Sequence, residues 1–231
     1  MIKLFNQDCF KLIESNEFQN LIKDRKVILI TDPPFNINYH YANYKDKINE
    51  DEYYTKLANL INAYSGGVIV QYPENLHKLS IKLNQAPERV VSWVYNSNTA
   101  RQHRDIAFYK LKPDFSKVLQ PYKNLNDKRI KERIKNGKLG CKIYDWWNIN
   151  QVKNVSKKVS HPCVMPLKVM ENIIGILPKD VIIFDAFMGS GTTGVACKNL
   201  GVDFIGCEID TIYYEEAKER IKGDLWHLGK C

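Results

Sequence analysis

The chain has 231 residues, of which 44% are hydrophobic and 26% charged, enough apolar content for one α/β domain with a substantial core. The sequence has no long apolar run, no secretory signal, and no C-x-x-C or metal-ligand spacing among its six cysteines. These features predict a cytoplasmic protein with reduced thiols, no membrane contact and no bound metal. The formal net charge of +8 favours a polyanionic partner, and residues 101–138 carry twelve basic against four acidic side chains, so the excess is concentrated there.

Strand and helix patterns alternate along most of the chain. Apolar runs predict strands at 2–5, 27–31, 67–71, 89–95, 106–109, 181–184 and 204–207, and amphipathic patterns predict helices at 10–23, 52–64, 167–174 and 195–200. The interval 96–159 has weaker periodicity, many charges and an aromatic cluster. Alternation of this kind favours an α/β fold with a parallel sheet.

The segment Asp32-Pro33-Pro34-Phe35 follows the predicted strand at 27–31. The prolines restrict the backbone and Pro34 lacks an N–H, so the carbonyls of Asp32 and Pro33 stay available as acceptors. The Asp32 carboxylate adds an acceptor, and the Phe35 ring adds a flat apolar face. A bare D-P-P is more often an ordinary proline turn, but these four residues also suit the binding of a planar ring with an exocyclic amino group.

A glycine motif far downstream favours the second interpretation. It lies between the strand at 181–184 and the helix at 195–200, which is the context that a nucleotide-binding turn requires. Glu208 ends the next strand, about twenty residues further on, where an acidic side chain commonly accepts ribose hydroxyls. These features predict an adenosine cofactor, and the residues of the motif are Asp185, Phe187, Gly189, Ser190, Gly191 and Thr192.

Together the two motifs resemble those of the β class of S-adenosylmethionine-dependent DNA amino-methyltransferases. In that family a D-P-P-aromatic motif precedes an F-x-G-x-G cofactor motif, as it does here. A third match is His161-Pro162 before the helix at 167–174, although Met165 stands where the family has a lysine. A fourth is Asn6-Gln7-Asp8-Cys9. The resemblance extends over residues 1–95 and 158–222, with the four motifs in the family's order.

The resemblance implies a fold and a cofactor. The expected fold is a single methyltransferase domain over 1–231, with a Rossmann-like sheet filled in permuted order and a small target-recognition region inserted at 96–159. The expected cofactor is S-adenosylmethionine, with Asp8 on its adenine amino group and Glu208 on its ribose. The full set of expected cofactor contacts is Asp8, Cys9, Asp32, His161, Asp185, Phe187, Gly189, Ser190, Gly191, Thr192 and Glu208.

The resemblance also implies double-stranded DNA as the substrate. The catalytic residues would be Asp32, Pro33, Pro34 and Phe35. The Asp32 carboxylate and the Pro33 carbonyl would accept the two amino hydrogens, and Phe35 would stack on the flipped base. Aspartate at position 32 favours adenine N6 over cytosine N4. The basic side chains expected to contact DNA are Arg101, Arg104, Lys128, Arg129, Lys131, Arg133 and Lys135.

Several other functions stay open on the sequence alone. They are a cytosine-N4 DNA methyltransferase, a nicotinamide enzyme, a methyltransferase for RNA or for a protein amide, and a non-catalytic DNA-binding protein on the same fold. The sequence also leaves open whether the chain forms a homodimer and whether a cognate restriction enzyme accompanies it.

Overall fold

The computed structural model describes residues 1–36, 47–152 and 163–223. Its strands are β1 (Ile2–Asn6), β2 (Val27–Thr31), β3 (Gly67–Gln71), β4 (Arg89–Val94), β5 (His103–Tyr109), β6 (Leu119–Gln120), β7 (Cys141–Lys142), β8 (Trp146–Asn148), β9 (Ile182–Asp185) and β10 (Asp203–Glu208). Its α-helices are α1 (Cys9–Glu14), α2 (Asn16–Ile22), α3 (Glu50–Asn62), α4 (Pro73–Leu83), α5 (Lys128–Lys135), α6 (Leu167–Gly175), α7 (Thr192–Leu200) and α8 (Thr211–Lys222). None of the described helices is long and apolar enough to span a bilayer.

Eight strands form one sheet in the order β1-β10-β9-β2-β3-β5-β4-β8. The first five strands of this order are mutually parallel, β5 is antiparallel to both of its neighbours, and β8 is parallel to β4. The late strands β9 and β10 therefore lie between the early strands β1 and β2. The predicted Rossmann-like sheet with permuted order is confirmed.

Helices cover both faces of the sheet. Neighbouring side chains of β2 alternate between two apolar cores, with Ile28 and Ile30 in one and Val27 and Leu29 in the other. The first core contains residues of α6, α7 and α8, and the second contains residues of α1 to α4. Because β2 is buried on both faces, its sequence is a continuous apolar run and not an alternating one.

Outside the interval 96–159, three segments differ from the predicted elements. The helix expected at 10–23 is divided at Ser15, whose extended backbone ends α1 and whose hydroxyl accepts the Phe18 N–H at 3.2 Å to begin α2. Helices α4 and α8 are additions to the predicted set. Each packs one face against the sheet and leaves the opposite face in solvent, so its apolar pattern is short and interrupted by charge.

The predicted insertion at 96–159 is not a separate unit over its described part. It contributes β5 and β8 to the main sheet, and residues 110–145, between these two strands, lie outside that sheet. They contain the two-stranded pair β6–β7 and the helix α5, none of whose side chains is buried. Residues 110–145 are therefore the longest described segment of the interval outside the main sheet.

Candidate active site

A cavity of about 280 Å³ lies at the carboxyl ends of the parallel strands. Ligand sites of open α/β sheets occupy this edge, at the point where the strand order reverses. On the β2–β3 side the cavity is lined by Asp32, Pro33, Pro34, Phe35, Tyr72 and Arg104. On the β10–β1 side it is lined by Asp8, Cys9, Phe10, Glu208, Ile209 and Asp210, and residues 185–190 and 192–193 lie between.

Asp32 follows β2 directly, and its carboxylate has two different environments. Oδ2 accepts a hydrogen bond from Nη1 of Arg104 at 3.0 Å. Oδ1 is shielded from solvent and has no hydrogen-bond partner among the described residues. Burial raises the pKa of the Asp32 carboxyl, and the charge and hydrogen bond of Arg104 oppose that rise. An unpartnered carboxylate oxygen in a cavity is an acceptor held ready for a donor on a ligand.

The structure corrects the expected role of Arg104. This side chain was predicted to contact DNA phosphates, but the residue is only 8% exposed and its guanidinium lies against Asp32. The guanidinium carbon is 4.9 Å from the ring centre of Phe35 and 5.7 Å from that of Tyr72. A buried, paired guanidinium inside the cavity is not placed like a surface phosphate contact, and Arg104 lies on the same side of the cavity as the D-P-P-F turn.

Two tyrosines support the D-P-P-F turn and were not among the predicted site residues. The Tyr53 hydroxyl on α3 donates to the Pro34 carbonyl, and the Tyr72 ring packs edge-on to Phe35 with 5.1 Å between ring centres. Tyr72 follows the buried strand β3 as Asp32 follows β2, and that position was the available signal. Tyr53 is part of a helix and gave no such signal.

One buried hydrogen bond links the two predicted motifs. The Thr31 hydroxyl, at the end of β2, donates to Oδ1 of Asp185 at 3.0 Å, and the Thr193 hydroxyl donates to Oδ2 at 2.6 Å. Burial raises the pKa of the Asp185 carboxyl to about 6, against the opposing effect of these hydrogen bonds. Asp185 therefore anchors the start of the glycine turn to the strand that carries Asp32, which is a positioning role.

The glycine turn is held by Glu208 from the neighbouring strand. The Gly189 N–H donates to Oε2 of Glu208 at 2.8 Å, and the Asp210 N–H donates to Oε1 at 2.9 Å. Burial raises the pKa of the Glu208 carboxyl. Each carboxylate oxygen has capacity for a second hydrogen bond, so Glu208 can hold the turn and still accept ligand hydroxyls.

Gly191 has a different position from the other predicted cofactor residues that the structure describes, because it does not line the cavity. Its backbone is left-handed, with φ of 76°, and a Cβ there would approach the Ala217 Cβ of α8 to 2.8 Å. Ser190 and Thr192, on either side, do line the cavity. Gly191 thus allows the turn to pass closely over α8.

The remaining predicted cofactor residues divide into three cases. Asp8 caps α1 by accepting the Phe10 N–H at 2.7 Å through Oδ1, which leaves Oδ2 for a ligand. The Phe187 ring meets Phe10 edge-on at 6.4 Å between ring centres, and Cys9 is a buried thiol whose pKa burial raises. His161 lies outside the described residues.

Arg220 is a further residue that the sequence did not single out. It reaches from α8 to donate to the Ser190 carbonyl, and its Nη1 lies 3.3 Å from the Thr192 hydroxyl. Burial lowers the pKa of its guanidinium to about 10. Together with the Gly191–Ala217 contact, this bond makes α8 the support of the glycine turn.

We expect Arg220→Met to lower the free energy of unfolding by about 1–3 kcal/mol, because it leaves the buried Ser190 carbonyl without its donor. Urea denaturation followed by circular dichroism measures this change. The matched control is Lys222→Met in the same helical turn, whose ammonium pairs with Glu219 at the surface and whose loss should cost at most about 0.5 kcal/mol. Equal losses in the two variants would show that Arg220 does not support the turn.

The other basic residues predicted to contact DNA lie at the surface. Arg101 pairs with Glu74 at 2.7 Å, and its guanidinium carbon is 4.5 Å from the centre of the Tyr72 ring, so it lies close to the D-P-P-F side of the cavity. Helix α5 carries the remaining five and buries none of its side chains. They are Lys128, Arg129, Lys131, Arg133 and Lys135.

This sheet order, with turns after β9, β10 and β2 that line one cavity, is that of the Rossmann-like α/β enzymes, in which a nucleotide cofactor and a substrate meet at one edge of the sheet. The chain belongs to the DNA methylase family N6_N4_Mtase, whose model matches residues 27–219.

Individual relatives agree with this assignment. The chain is 25% identical to the type II methyltransferase M.HpaI of Haemophilus parainfluenzae, over 93% of this chain and 75% of that protein. A crystal structure of an M1.HpyAVI–SAM complex is 26% identical, with a TM-score of 0.60 over 95% of this chain and 100% of that chain. The cytosine-N4-specific PvuII DNA methyltransferase has a TM-score of 0.63 over 96% of this chain and 90% of that chain, but at 15% identity it shows the fold alone.

Proposed function

We propose that the chain transfers a methyl group from S-adenosylmethionine to the N6 amino group of adenine in DNA. Methyl transfer to DNA from S-adenosylmethionine agrees with the family and its relatives, and the choice of adenine is the further step. One observation carries the proposal for the site: Asp32 Oδ1 is a buried acceptor without a partner among the described residues, on the cavity wall beside the glycine turn. The resemblance of the motif, with aspartate and not serine at position 32, supports adenine.

The chemistry assigns roles to three residues of the D-P-P-F turn. The nitrogen of an aromatic amine is a weak nucleophile because its lone pair is delocalised into the ring. Hydrogen bonds to the Asp32 carboxylate and the Pro33 carbonyl would draw the nitrogen towards tetrahedral geometry and localise that pair. Phe35, at the cavity wall, would stack on a base that has left the duplex. Asp32 need not be a strong base, since the methylated cationic amine loses its proton readily.

The described residues fit the cofactor at the other side of the cavity. When bound, S-adenosylmethionine supplies an electrophilic methyl group on a positively charged sulfur. Glu208 has free acceptor capacity on both carboxylate oxygens and Asp8 has one uncommitted oxygen. We assign the ribose to Glu208, the adenine amino group to Asp8 and the methionine end to the Ser190 and Thr192 side of the glycine turn.

The decisive experiment for the reaction is methyl transfer from labelled S-adenosylmethionine to unmethylated genomic DNA, followed by digestion to nucleosides and their separation. We expect the label in N6-methyldeoxyadenosine. Label in N4-methyldeoxycytidine would keep the mechanism and overturn adenine as the target. No label in any nucleoside, with cofactor still bound, would point instead to RNA or protein amides. Cofactor-independent DNA binding without transfer would indicate a non-catalytic binding protein.

We also propose that residues 110–145 contact the DNA, with α5 binding phosphates. The helix carries five basic side chains and one glutamate over eight residues, and all of them are accessible to solvent or nearly so. Because none of its side chains is buried, its basic groups are accessible to a polyanion, including Arg129, whose guanidinium pairs with Asp127 at 3.1 Å.

Charge reversal on α5 tests the phosphate contacts. We expect Lys131→Glu combined with Lys135→Glu to weaken DNA binding and to lower the slope of log K against log salt by about 2, or one unit for each lost contact. The control is Lys26→Glu with Lys179→Glu, an identical change in charge at exposed residues preceding β2 and β9, at the edge of the sheet opposite the cavity. Fluorescence anisotropy with a labelled duplex measures both. Equal weakening by the two double variants would mean that only net charge matters.

The assembly and cellular setting are proposals drawn from the relatives. Their type II names suggest that this chain also protects DNA from a cognate restriction enzyme and acts in the cytoplasm, where that DNA lies. Expression of this chain in a host that lacks DNA methylation should make the host DNA resistant to restriction endonucleases that recognise one particular sequence. Sedimentation of the purified protein, with and without duplex, would distinguish a monomer from the homodimer.

A further inference from the structure

We propose that Arg104 is a positioning residue for methyl transfer, which binds one oxygen of the Asp32 carboxylate so that the other oxygen faces the target amine. This inference rests on the proposed function, because it concerns the same site. It goes beyond the family motifs, since Arg104 lies on β5, outside both the D-P-P-F turn and the glycine turn. The two side chains are 72 residues apart in sequence and meet only in the folded chain.

The first support is that the two carboxylate oxygens of Asp32 have different hydrogen-bonding environments. Nη1 of Arg104 lies 3.0 Å from Oδ2 of Asp32, whereas Oδ1 has no partner among the described residues. A carboxylate with both oxygens free could rotate about its terminal torsion, which is a soft one. The Arg104 bond fixes that torsion, and it therefore fixes the direction in which Oδ1 presents its lone pairs.

The second support is that Arg104 is itself rigidly held. Its guanidinium carbon lies 4.9 Å from the ring centre of Phe35 and 5.7 Å from those of Tyr72 and Trp93. Aromatic faces on several sides hold a planar guanidinium by cation–π attraction and packing. Phe35 is also the residue assigned to stack on the flipped base, so one side chain contacts both Arg104 and the base.

The third support is electrostatic. Burial raises the pKa of Asp32, and the charge and hydrogen bond of Arg104 act against that rise, so Arg104 favours the ionised carboxylate. Burial also lowers the pKa of Arg104, but Asp32 and the neighbouring tyrosines raise it by more. The other titratable groups that influence this pair are Asp185, Cys163, Tyr72 and Tyr95.

The sign of the pH effect follows from this arrangement. Only ionised Asp32 can accept through both oxygens, so activity falls as the pH drops through the Asp32 pKa. A neighbouring arginine lowers a carboxyl pKa by about 1–3 units, and its removal raises the pKa by a similar amount. The acid limb of the kcat/KM profile should therefore move to higher pH when Arg104 is neutralised.

The test compares Arg104→Met and Arg104→Lys with the wild-type chain and with Arg89→Met. Arg89 is a matched control, because it also lies on a strand, stacks on an aromatic ring and pairs with an aspartate. It differs in its place, since it lies at the end of β4 that is opposite the cavity.

We expect Arg104→Met to lower kcat by about tenfold to a hundredfold and to shift the acid limb upward, with cofactor affinity unchanged. Arg104→Lys should restore the acid limb but recover kcat only in part, since an ammonium lacks the planar fork. Arg89→Met should leave both unchanged.

The outcomes separate this inference from the proposed function. A wild-type chain that transfers no methyl group would refute the proposed function. An active wild type with an Arg104→Met variant whose kcat is undiminished, or whose kcat is reduced but whose acid limb is unmoved, would refute the positioning role alone. Calorimetric binding of S-adenosylmethionine reports whether each variant is folded. If Arg104→Met fails to bind it, Arg104→Lys decides, because a positioning role requires its acid limb to match the wild type.

Discussion

Asp32→Asn is expected to reduce kcat for methyl transfer by on the order of a hundredfold to a thousandfold, the size of effect that follows the loss of one preorganised polar group in an active site. The carboxamide keeps an acceptor of similar shape but loses the negative charge that pairs with Arg104. Its NH₂ group must also face either the Arg104 guanidinium or the incoming amine, and both of these are donors. The target nitrogen then stays conjugated with its ring and remains a weak nucleophile.

The measurement is single-turnover transfer of labelled methyl to a duplex that contains the modified site, with cofactor affinity determined in parallel. We expect the affinity for S-adenosylmethionine to fall by no more than about fivefold, because the adenosine contacts assigned to Glu208 and Asp8 are intact. Asp105→Asn is a suitable control, since Asp105 is the next residue along β5 from Arg104 and its carboxylate accepts from Ser92 at 3.0 Å. Undiminished single-turnover transfer by Asp32→Asn would remove Asp32 from the reaction.

The second large effect is expected at the glycine turn, where Gly191→Ala should weaken cofactor binding by at least about tenfold. An alanine at φ of 76° costs about 1–2 kcal/mol in backbone conformation alone. In addition, its Cβ would lie 2.8 Å from the Ala217 Cβ and 3.0 Å from the Ala217 Cα, so either the turn or α8 must move. Since Arg220 and Glu208 hold the turn from two sides, such movement also disturbs its hydrogen bonds.

Gly201→Ala isolates the steric part of this effect. Gly201 has nearly the same backbone, with φ of 67°, but a Cβ there would meet nothing within 4 Å. It ends α7 at the opposite end from the cavity, so its substitution should cost about 1 kcal/mol of stability and leave cofactor affinity unchanged. Isothermal titration with S-adenosylmethionine, alongside thermal unfolding, distinguishes the two variants. A cofactor affinity that falls equally in both would mean that a general loss of stability, and not the approach of the turn to α8, weakens binding.

The local motifs were readable from sequence because each depends on residues that are adjacent in the chain. Asp32 to Phe35 follow one buried strand, and Asp185 to Thr192 follow another. A continuous apolar run identifies such strands, and the residue types directly after them identify the chemistry. The permuted order of the sheet also followed from the order of the two motifs, through the resemblance to a known family.

The interval 96–159, predicted from sequence to be an inserted target-recognition region, was the part of the fold that the sequence predicted least well. Weak periodicity over 96–159 was interpreted as an insertion, yet β5 and β8 from this interval are strands of the main sheet. The edge strand β8 has only three residues, which are too few to establish a pattern, and within the seven residues of β5 the apolar run predicted a strand only at 106–109. High local charge obscured the start of β5, because Arg104 is a buried residue in a stretch of otherwise solvent-exposed cations.

The sequence by itself therefore determined the class of fold, the cofactor and the two turns that meet at the active site. Only the tertiary structure paired Arg104 with Asp32, set Tyr53 and Tyr72 against the D-P-P-F turn, and placed α8 beneath Gly191. The physical reason is the distance along the chain. Backbone preferences and apolar periodicity act over a few residues, whereas an ion pair between β2 and β5 forms only after the sheet has brought those strands to the same edge.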